Sequence, residues 1–301
     1  MVKTSDSYRG RFAPSPTGPL HAGSLVAACA SYLEARTRGG EWLVRMEDLD
    51  PPREMPGAAD DILRTLEAFG FEWDGEVLYQ SHRHDHYAEA LRELERQDVV
   101  YGCGCSRREI ADSSVHGIEG PVYPGTCRGG LPAGRGVRAW RVRTTDEDMV
   151  FEDGWQGRIE RNLARDYGDF VVKRTDGFWA YQLAVVVDDA DQGITHVVRG
   201  ADLLESTPRQ IHLQRLLGFP APRYAHCTVV TNAQGEKLSK QTGAVALDAR
   251  QAVPQLLDAL GHLGQTLPGE LRDADLDSLW GWAIANWAPG VKSAHTALEA
   301  E

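Results

Sequence analysis

The chain has 301 residues, 42% hydrophobic and 25% charged, with acids outnumbering bases for a net charge of −12. That describes a globular chain able to bury a large core, as two domains or one domain with a sizeable insertion. No apolar run reaches membrane-spanning length and the start, Met-Val-Lys-Thr-Ser-Asp, lacks a signal peptide's apolar stretch. A cytoplasmic protein is expected, and the acidic balance argues against nucleic-acid binding by the whole surface.

Residues 8–12 read as a first strand. A loop set by Pro14, Pro16, Thr17 and Gly18 follows, then a helix over 22–38 opened by His21 and Gly23 and ended by Gly39-Gly40. Helix N-termini of this kind receive phosphate, although an ordinary Pro/Gly turn before a helix has the same pattern. Residues 41–46 form a second, largely buried strand, followed by the acid-dense Glu47-Asp-Leu-Asp50. This βαβ start, with functional groups at the strand ends, predicts an α/β fold with a Rossmann-like parallel sheet. Ile62, Leu63, Leu66 and Phe69 mark an amphipathic helix capped by Gly70, and Tyr87, Leu91 and Leu94 mark another over 83–97.

Composition changes between residues 101 and 143, where Gly, Pro and Arg dominate. Seven arginines stand there against three acids, a net of +4. Such runs are most often solvated faces and sometimes nucleic-acid contacts. Three of the chain's five cysteines, Cys103, Cys105 and Cys127, cluster in this stretch; in a reducing compartment that spacing suggests metal before disulfides. Further strands are expected at 137–143, 148–151, 170–174, 181–187, 196–202 and 223–231. Asp188 and Asp189 end the fourth of these, and Thr207 is expected to N-cap a helix with Pro208 at its first position. Gly235-Glu-Lys-Leu-Ser-Lys-Gln-Thr-Gly243 is a flexible loop, and the remainder is mostly helical, with Trp280, Trp282 and Trp287 packing.

Phosphoryl chemistry on ATP needs a backbone platform and cations for the charge that develops as pyrophosphate leaves. The loop 14–24 supplies the platform and His21, and the loop 235–243 supplies Lys237 and Lys240. In this order the two resemble the signature motifs of class I aminoacyl-tRNA synthetases, with Leu20-His-Ala-Gly-Ser24 for HIGH and Lys237-Leu-Ser-Lys-Gln241 for KMSKS. Ser24 and Gln241 depart from the pattern in their last positions. Arg11-Phe-Ala-Pro-Ser-Pro-Thr-Gly18 resembles the glutamyl branch in particular.

The resemblance implies ATP contacts at Pro14, Thr17, Gly18, His21, Gly23, Ser24, Lys237, Leu238, Ser239 and Lys240, with His21 and Lys240 catalytic. It implies a glutamate pocket of Arg11, Ala13, Ser15, Glu47, Tyr181 and Arg199. Two arginines and one carboxylate complement a substrate with two carboxylates and one ammonium; an internal salt bridge at strand ends is the competing reading of Glu47 and Arg199. Mg²⁺ would accompany ATP. A structural zinc held by Cys103, Cys105, Tyr123 and Cys127 is implied on the family pattern, with His116 the competing fourth ligand.

The chain stops soon after Lys240, where full glutamyl-tRNA synthetases continue into an anticodon-binding domain. That matches the truncated branch, which activates L-glutamate without tRNA and transfers it to queuosine at the wobble position of tRNA(Asp). The alternatives are an ordinary charger of tRNA(Glu) and a non-catalytic tRNA-binding paralogue. The expected organisation is a first catalytic half over 1–75, a zinc-containing acceptor-like insertion that meets RNA over 76–175, a second catalytic half over 176–243, and a helical region over 244–301. A monomer is expected.

Overall fold

The computed structural model describes residues 7–113, 115–229 and 245–289. The elements in order are β1 (Arg9–Phe12), α1 (Ala22–Arg36), β2 (Glu41–Met46), α2 (Ala58–Ala68), β3 (Leu78–Tyr79), α3 (His84–Arg96), β4 (Val100–Cys103), α4 (Arg107–Ser113), β5 (His116–Gly117) and β6 (Gly120–Pro121). They continue with β7 (Ala139–Val142), β8 (Asp148–Asp153), β9 (Gly157–Asn162), α5 (Leu163–Asp166), β10 (Phe170–Lys173), α6 (Tyr181–Asp191), β11 (His196–Gly200), α7 (Thr207–Leu217), β12 (Arg223–Cys227), α8 (Ala252–His262) and α9 (Leu276–Asn286).

Alternation along the strands sorts the central sheet into an apolar face and a charged one. β1 and β2 pair in parallel, Arg11 opposite Leu43 and Phe12 opposite Val44. With a period of two, Phe12, Trp42, Val44 and Met46 share a face, and Arg11, Leu43 and Arg45 share the other. The same holds for the parallel pair β11–β12, where Val198 sits beside Ala225 and Arg199 beside His226. The apolar face buries α1, α8 and α9 in one cluster that includes Leu25, Leu33, Leu256 and Trp280. Trp280 Nε1 donates to Phe69 O at 2.9 Å and Trp287 Nε1 to Glu34 Oε1 at 2.9 Å, so the tryptophans pack as expected. Gly40 has to be glycine, because a Cβ there would lie 2.4 Å from Tyr8 O.

The parallel strands β3-β2-β1 and β11-β12 meet where Thr195 N–H donates to Arg9 O at 3.0 Å and Arg9 N–H donates to Thr195 Oγ1 at 2.8 Å. The winding reverses between β1 and β11, and the crevice at the carboxyl ends of these strands is where such sheets bind ligands. The antiparallel hairpin β8–β9 attaches to the far side of β12 through the Tyr224–Asp153 pair. β10-β7-β4 form a separate antiparallel sheet and β5–β6 a small hairpin.

Two local expectations are corrected. Residues 181–187 form the first two turns of α6, not a strand. Gln182 to Asp189 are all buried, and a short, uniformly buried apolar run does not reveal its period. Thr207 does not cap α7; it is the first helical residue, and its hydroxyl accepts from Arg199 Nη2 at 2.8 Å. The strand expected over 223–231 ends at Cys227 within the described residues.

Candidate active site

The charged face of the sheet and α6 together build the site. Helical spacing puts Tyr181, Asp188, Asp189 and Gln192 along one side of α6 and beyond its end, against the arginines that alternation brings to the sheet. Arg45, fully buried, donates through Nη2 to Asp189 Oδ1 at 2.7 Å and through Nη1 to Gln192 Oε1 at 2.7 Å. Arg11 donates from Nε to the same carboxylate at 3.1 Å. Burial pushes Asp189 up, but the two arginines outweigh it and hold the carboxyl below its usual range.

A cavity of about 310 Å³ opens at the switch point. Its lining includes Arg11, Ala13, Pro14, Ser15, Thr17, His21, Gly23, Ser24, Glu47, Tyr181 and Arg199. The expected pocket residues of the first loop, the end of β2, the start of α6 and the end of β11 therefore converge, across 188 positions of chain from Arg11 to Arg199. Gly18 is not in the lining; its φ of +137° makes the turn that leads to α1. Lys237, Leu238, Ser239, Lys240 and Gln241 lie outside the described residues.

The loop is pinned from below. Glu47 N–H donates to Pro14 O at 2.9 Å and Met55 N–H to Pro16 O at 3.0 Å. His21 is the extended N-cap of α1; Ser24 N–H donates to its Nδ1 at 3.4 Å and Ser24 Oγ lies 3.3 Å from its Nε2. The departure from HIGH thus places a hydroxyl against the His21 ring. Past the undescribed stretch, Ala246 bridges His21 and Leu247 N–H donates to Leu20 O at 3.0 Å, while Thr228 and Val229 line the cavity before it. The described residues on both sides of the segment 230–244 therefore sit at this cavity.

Two ionisable groups differ sharply in how well they are partnered. Arg199 donates from Nε to His226 Nε2 at 3.0 Å, from Nη1 to the Tyr181 hydroxyl at 3.2 Å, and from Nη2 to Leu203 O at 3.3 Å and Thr207 Oγ1 at 2.8 Å. Glu47 Oε1 is buried 3.7 Å from Arg45 Nη2 and accepts no hydrogen bond among the described residues. Burial pushes its carboxyl up to about 7, against the pull of Arg45 and Arg11. A buried carboxylate short of donors, beside a cavity, suits an incoming cation.

Sequence reasoning missed Arg45, Asp153, Asp189, Thr207 and His226 as parts of this arrangement. Arg45 left one signal, a single arginine inside the apolar strand Trp-Leu-Val-Arg-Met, which requires a buried partner.

Residues 7–258 match the family model for the catalytic domain of class I tRNA synthetases (E and Q). The glutamyl-Q tRNA(Asp) synthetase of Chromobacterium violaceum is 63% identical over 281 residues, covering 93% of this chain and 94% of its own; that of Dechloromonas aromatica is 63% identical over 282 residues, with the same coverage. The chain belongs to the glutamyl-Q tRNA(Asp) synthetase family. Among solved structures, a glutamate tRNA ligase of Elizabethkingia meningosepticum in complex with its amino acid aligns with a TM-score of 0.69 at 28% identity, over 79% of this chain and 53% of its own. A glutamate-tRNA synthetase of Elizabethkingia anophelis aligns with a TM-score of 0.79 over 98% of this chain and 68% of its own, a likeness of fold at 24% identity.

As a glutamyl-Q tRNA(Asp) synthetase family member the chain is an enzyme of the class I synthetase group, and it carries a second constellation away from the cavity. Cys103, Cys105 and Cys127 are buried with their sulfurs within 4.8 Å of one another, a set able to hold a metal ion. The Tyr123 hydroxyl lies 3.3 Å from Cys103 Sγ and 3.6 Å from Cys105 Sγ, and accepts from Cys127 N–H at 2.8 Å. His116 is exposed on the β5–β6 hairpin and is not part of the cluster. Arg141 stacks over the Tyr123 ring, 3.9 Å from its centroid. Burial raises the Cys103 thiol, but Tyr123, the Cys105 backbone and Arg141 bring it down to about 7, as suits a thiolate ligand.

The basic stretch is less available than its charge suggests. Arg128 pairs with Asp169, Arg135 with Glu109, Arg141 donates to Asp169 O, and Arg143 donates to Asp98 O and Arg128 O. These arginines hold the region of the cysteine cluster together as well as colouring its surface. No described helix is long and apolar enough to cross a membrane.

Proposed function

We propose that the enzyme activates L-glutamate with ATP, without needing tRNA, and transfers it to queuosine at the wobble position of tRNA(Asp). The observation that carries the first half is a buried carboxylate oxygen, Glu47 Oε1, with no hydrogen-bond partner among the described residues, in a cavity lined also by Arg11 and Arg199. Glu47 takes the substrate ammonium, the arginines take its two carboxylates, and Tyr181 fixes its orientation through Arg199. ATP lies toward Pro14, Thr17, Gly18, His21, Gly23 and Ser24, at the N-terminus of α1, with Mg²⁺ on its phosphates. In-line attack of the glutamate α-carboxylate on the α-phosphate gives glutamyl-adenylate and pyrophosphate, with His21 and Lys240 stabilising phosphate charge and Lys237, Leu238 and Ser239 completing the ATP contacts.

The acceptor reading is supported by the relatives' shared name, and the region 76–175 is the part we assign to RNA. Three thiolates and the Tyr123 oxygen fit a closed tetrahedral zinc, which would hold that region's shape. ATP–pyrophosphate exchange with glutamate alone tests the proposal. Activity without tRNA supports it, dependence on tRNA points to an ordinary charger, and silence points to a non-catalytic binder.

A further inference from the structure

Asp153 and His226 are fully buried and distant in sequence from the expected motifs; Asp153 meets His226, and His226 meets Arg199. We propose that they are positioning residues for the glutamate-reading arginine. Asp153 holds His226 in one tautomer, and that tautomer supplies the acceptor that aims the guanidinium.

The protons can be counted. An arginine Nε–H only donates, so His226 Nε2, 3.0 Å away, must accept. The proton of the neutral ring is then on Nδ1, which donates to Asp153 Oδ2 at 2.5 Å. Four of the five Arg199 N–H groups are thereby assigned to His226, Tyr181, Leu203 and Thr207, and one on Nη1 has no protein acceptor among the described residues. Arg199 lines the cavity, so its remaining donor and its charge are there for a ligand. A protonated His226, or the other tautomer, would set a donor against a donor.

The other oxygen of Asp153 makes the arrangement specific to a carboxylate. Oδ1 accepts three backbone N–H bonds, from Trp155 at 3.0 Å, Gln156 at 2.9 Å and His226 at 3.1 Å. In Asp153→Asn the amide oxygen is held by those three donors, so its NH₂ faces His226 Nδ1. The ring must then accept there and carry its proton on Nε2, toward Arg199. The substitution keeps size and backbone bonds and reverses one tautomer. A purely structural role, tying β8 to β12, would not be sensitive to that reversal.

The inference rests on the reading of Arg199 as a glutamate ligand, and the test separates the two. Glutamate-dependent ATP–pyrophosphate exchange is measured on the full chain for Asp153→Asn, with Arg199→Ala alongside and nitrogen NMR of labelled histidine reporting the tautomer. The expected result is a tautomer change and a rise in glutamate KM of about 10- to 100-fold, with ATP KM close to that of the unmodified chain. A severe Arg199→Ala with an unchanged glutamate KM in Asp153→Asn overturns the positioning role alone; a silent Arg199→Ala overturns both. Should Asp153→Asn fail to fold, His226→Gln, which offers Arg199 an amide oxygen, is compared with His226→Leu, which offers none. A clearly smaller KM rise for His226→Gln is expected, and equal effects contradict the proposal.

Discussion

Arg45 and Asp189 lie 144 residues apart in sequence and meet at 2.7 Å with neither side chain reached by solvent to any useful extent. The pair ties β2 to α6, and Arg11, which lines the cavity, joins it from β1, so these elements are held together by charges buried away from water. Removing Asp189 leaves two buried guanidiniums short of their counter-ion. Asp189→Ala is expected to lower stability by about 3–5 kcal/mol, read as a fall in the urea midpoint. Because the folded Asp189 carboxyl is held below its usual range, its contribution is present above that range and is lost as pH falls through the lowered value. Acid unfolding of the unmodified chain should therefore include a step that Asp189→Ala lacks.

Glu47 behaves in the opposite sense. Its folded carboxyl titrates near 7, above the ordinary glutamate range, so ionising it opposes folding. Its favourable contribution to the fold is present at low pH and disappears as pH rises through about 7. Glu47→Gln should raise Tm at pH 8, by about 2–4 °C for each kcal/mol relieved, and lose that advantage at pH 5. The same substitution should abolish glutamate activation, and in the unmodified chain glutamate KM should rise as pH falls below about 7. A stabilised yet inactive variant is the signature of a group kept for its substrate.

His21 and Ser24 separate chemistry from support. His21→Ala is expected to lower the exchange rate about 10²- to 10³-fold, the loss typical of a charge-stabilising donor. Ser24→Ala removes only the hydroxyl 3.3 Å from the ring, and its effect on kcat should stay below about tenfold.

The cysteine cluster is checked by metal analysis. The purified chain should hold about one zinc, lost in the double variant Cys103→Ser, Cys127→Ser. Loss should make the segment 104–126 newly sensitive to limited proteolysis while the catalytic half keeps its resistance, because the cluster sits outside the cores of the central sheet.

Much of the site was legible because it is local. The strand–loop–helix at the start of the chain follows from spacing, with His21 at the helix start and β2 over the expected residues 41–46, while Arg11 and Ser15 were singled out by the family resemblance. What was not legible is long-range or fully buried. Tyr-Gln-Leu-Ala-Val-Val-Val, rich in β-branched residues, reads as a strand, yet it is a helix packed on every side, where burial removes the polar face that would have shown its period. The partners of Arg45 and Arg199 could not be named, since only the folded sheet brings Asp189 and His226 to them. Thr207 was legible as polar at a helix start, but its hydroxyl serves Arg199 instead of the helix.

The most direct test of the central claim is transfer of labelled glutamate to tRNA(Asp) prepared with and without queuosine, using the purified chain, ATP and Mg²⁺. Incorporation into the queuosine-bearing tRNA alone is expected. Equal incorporation into both, or incorporation only into tRNA(Glu), would contradict it.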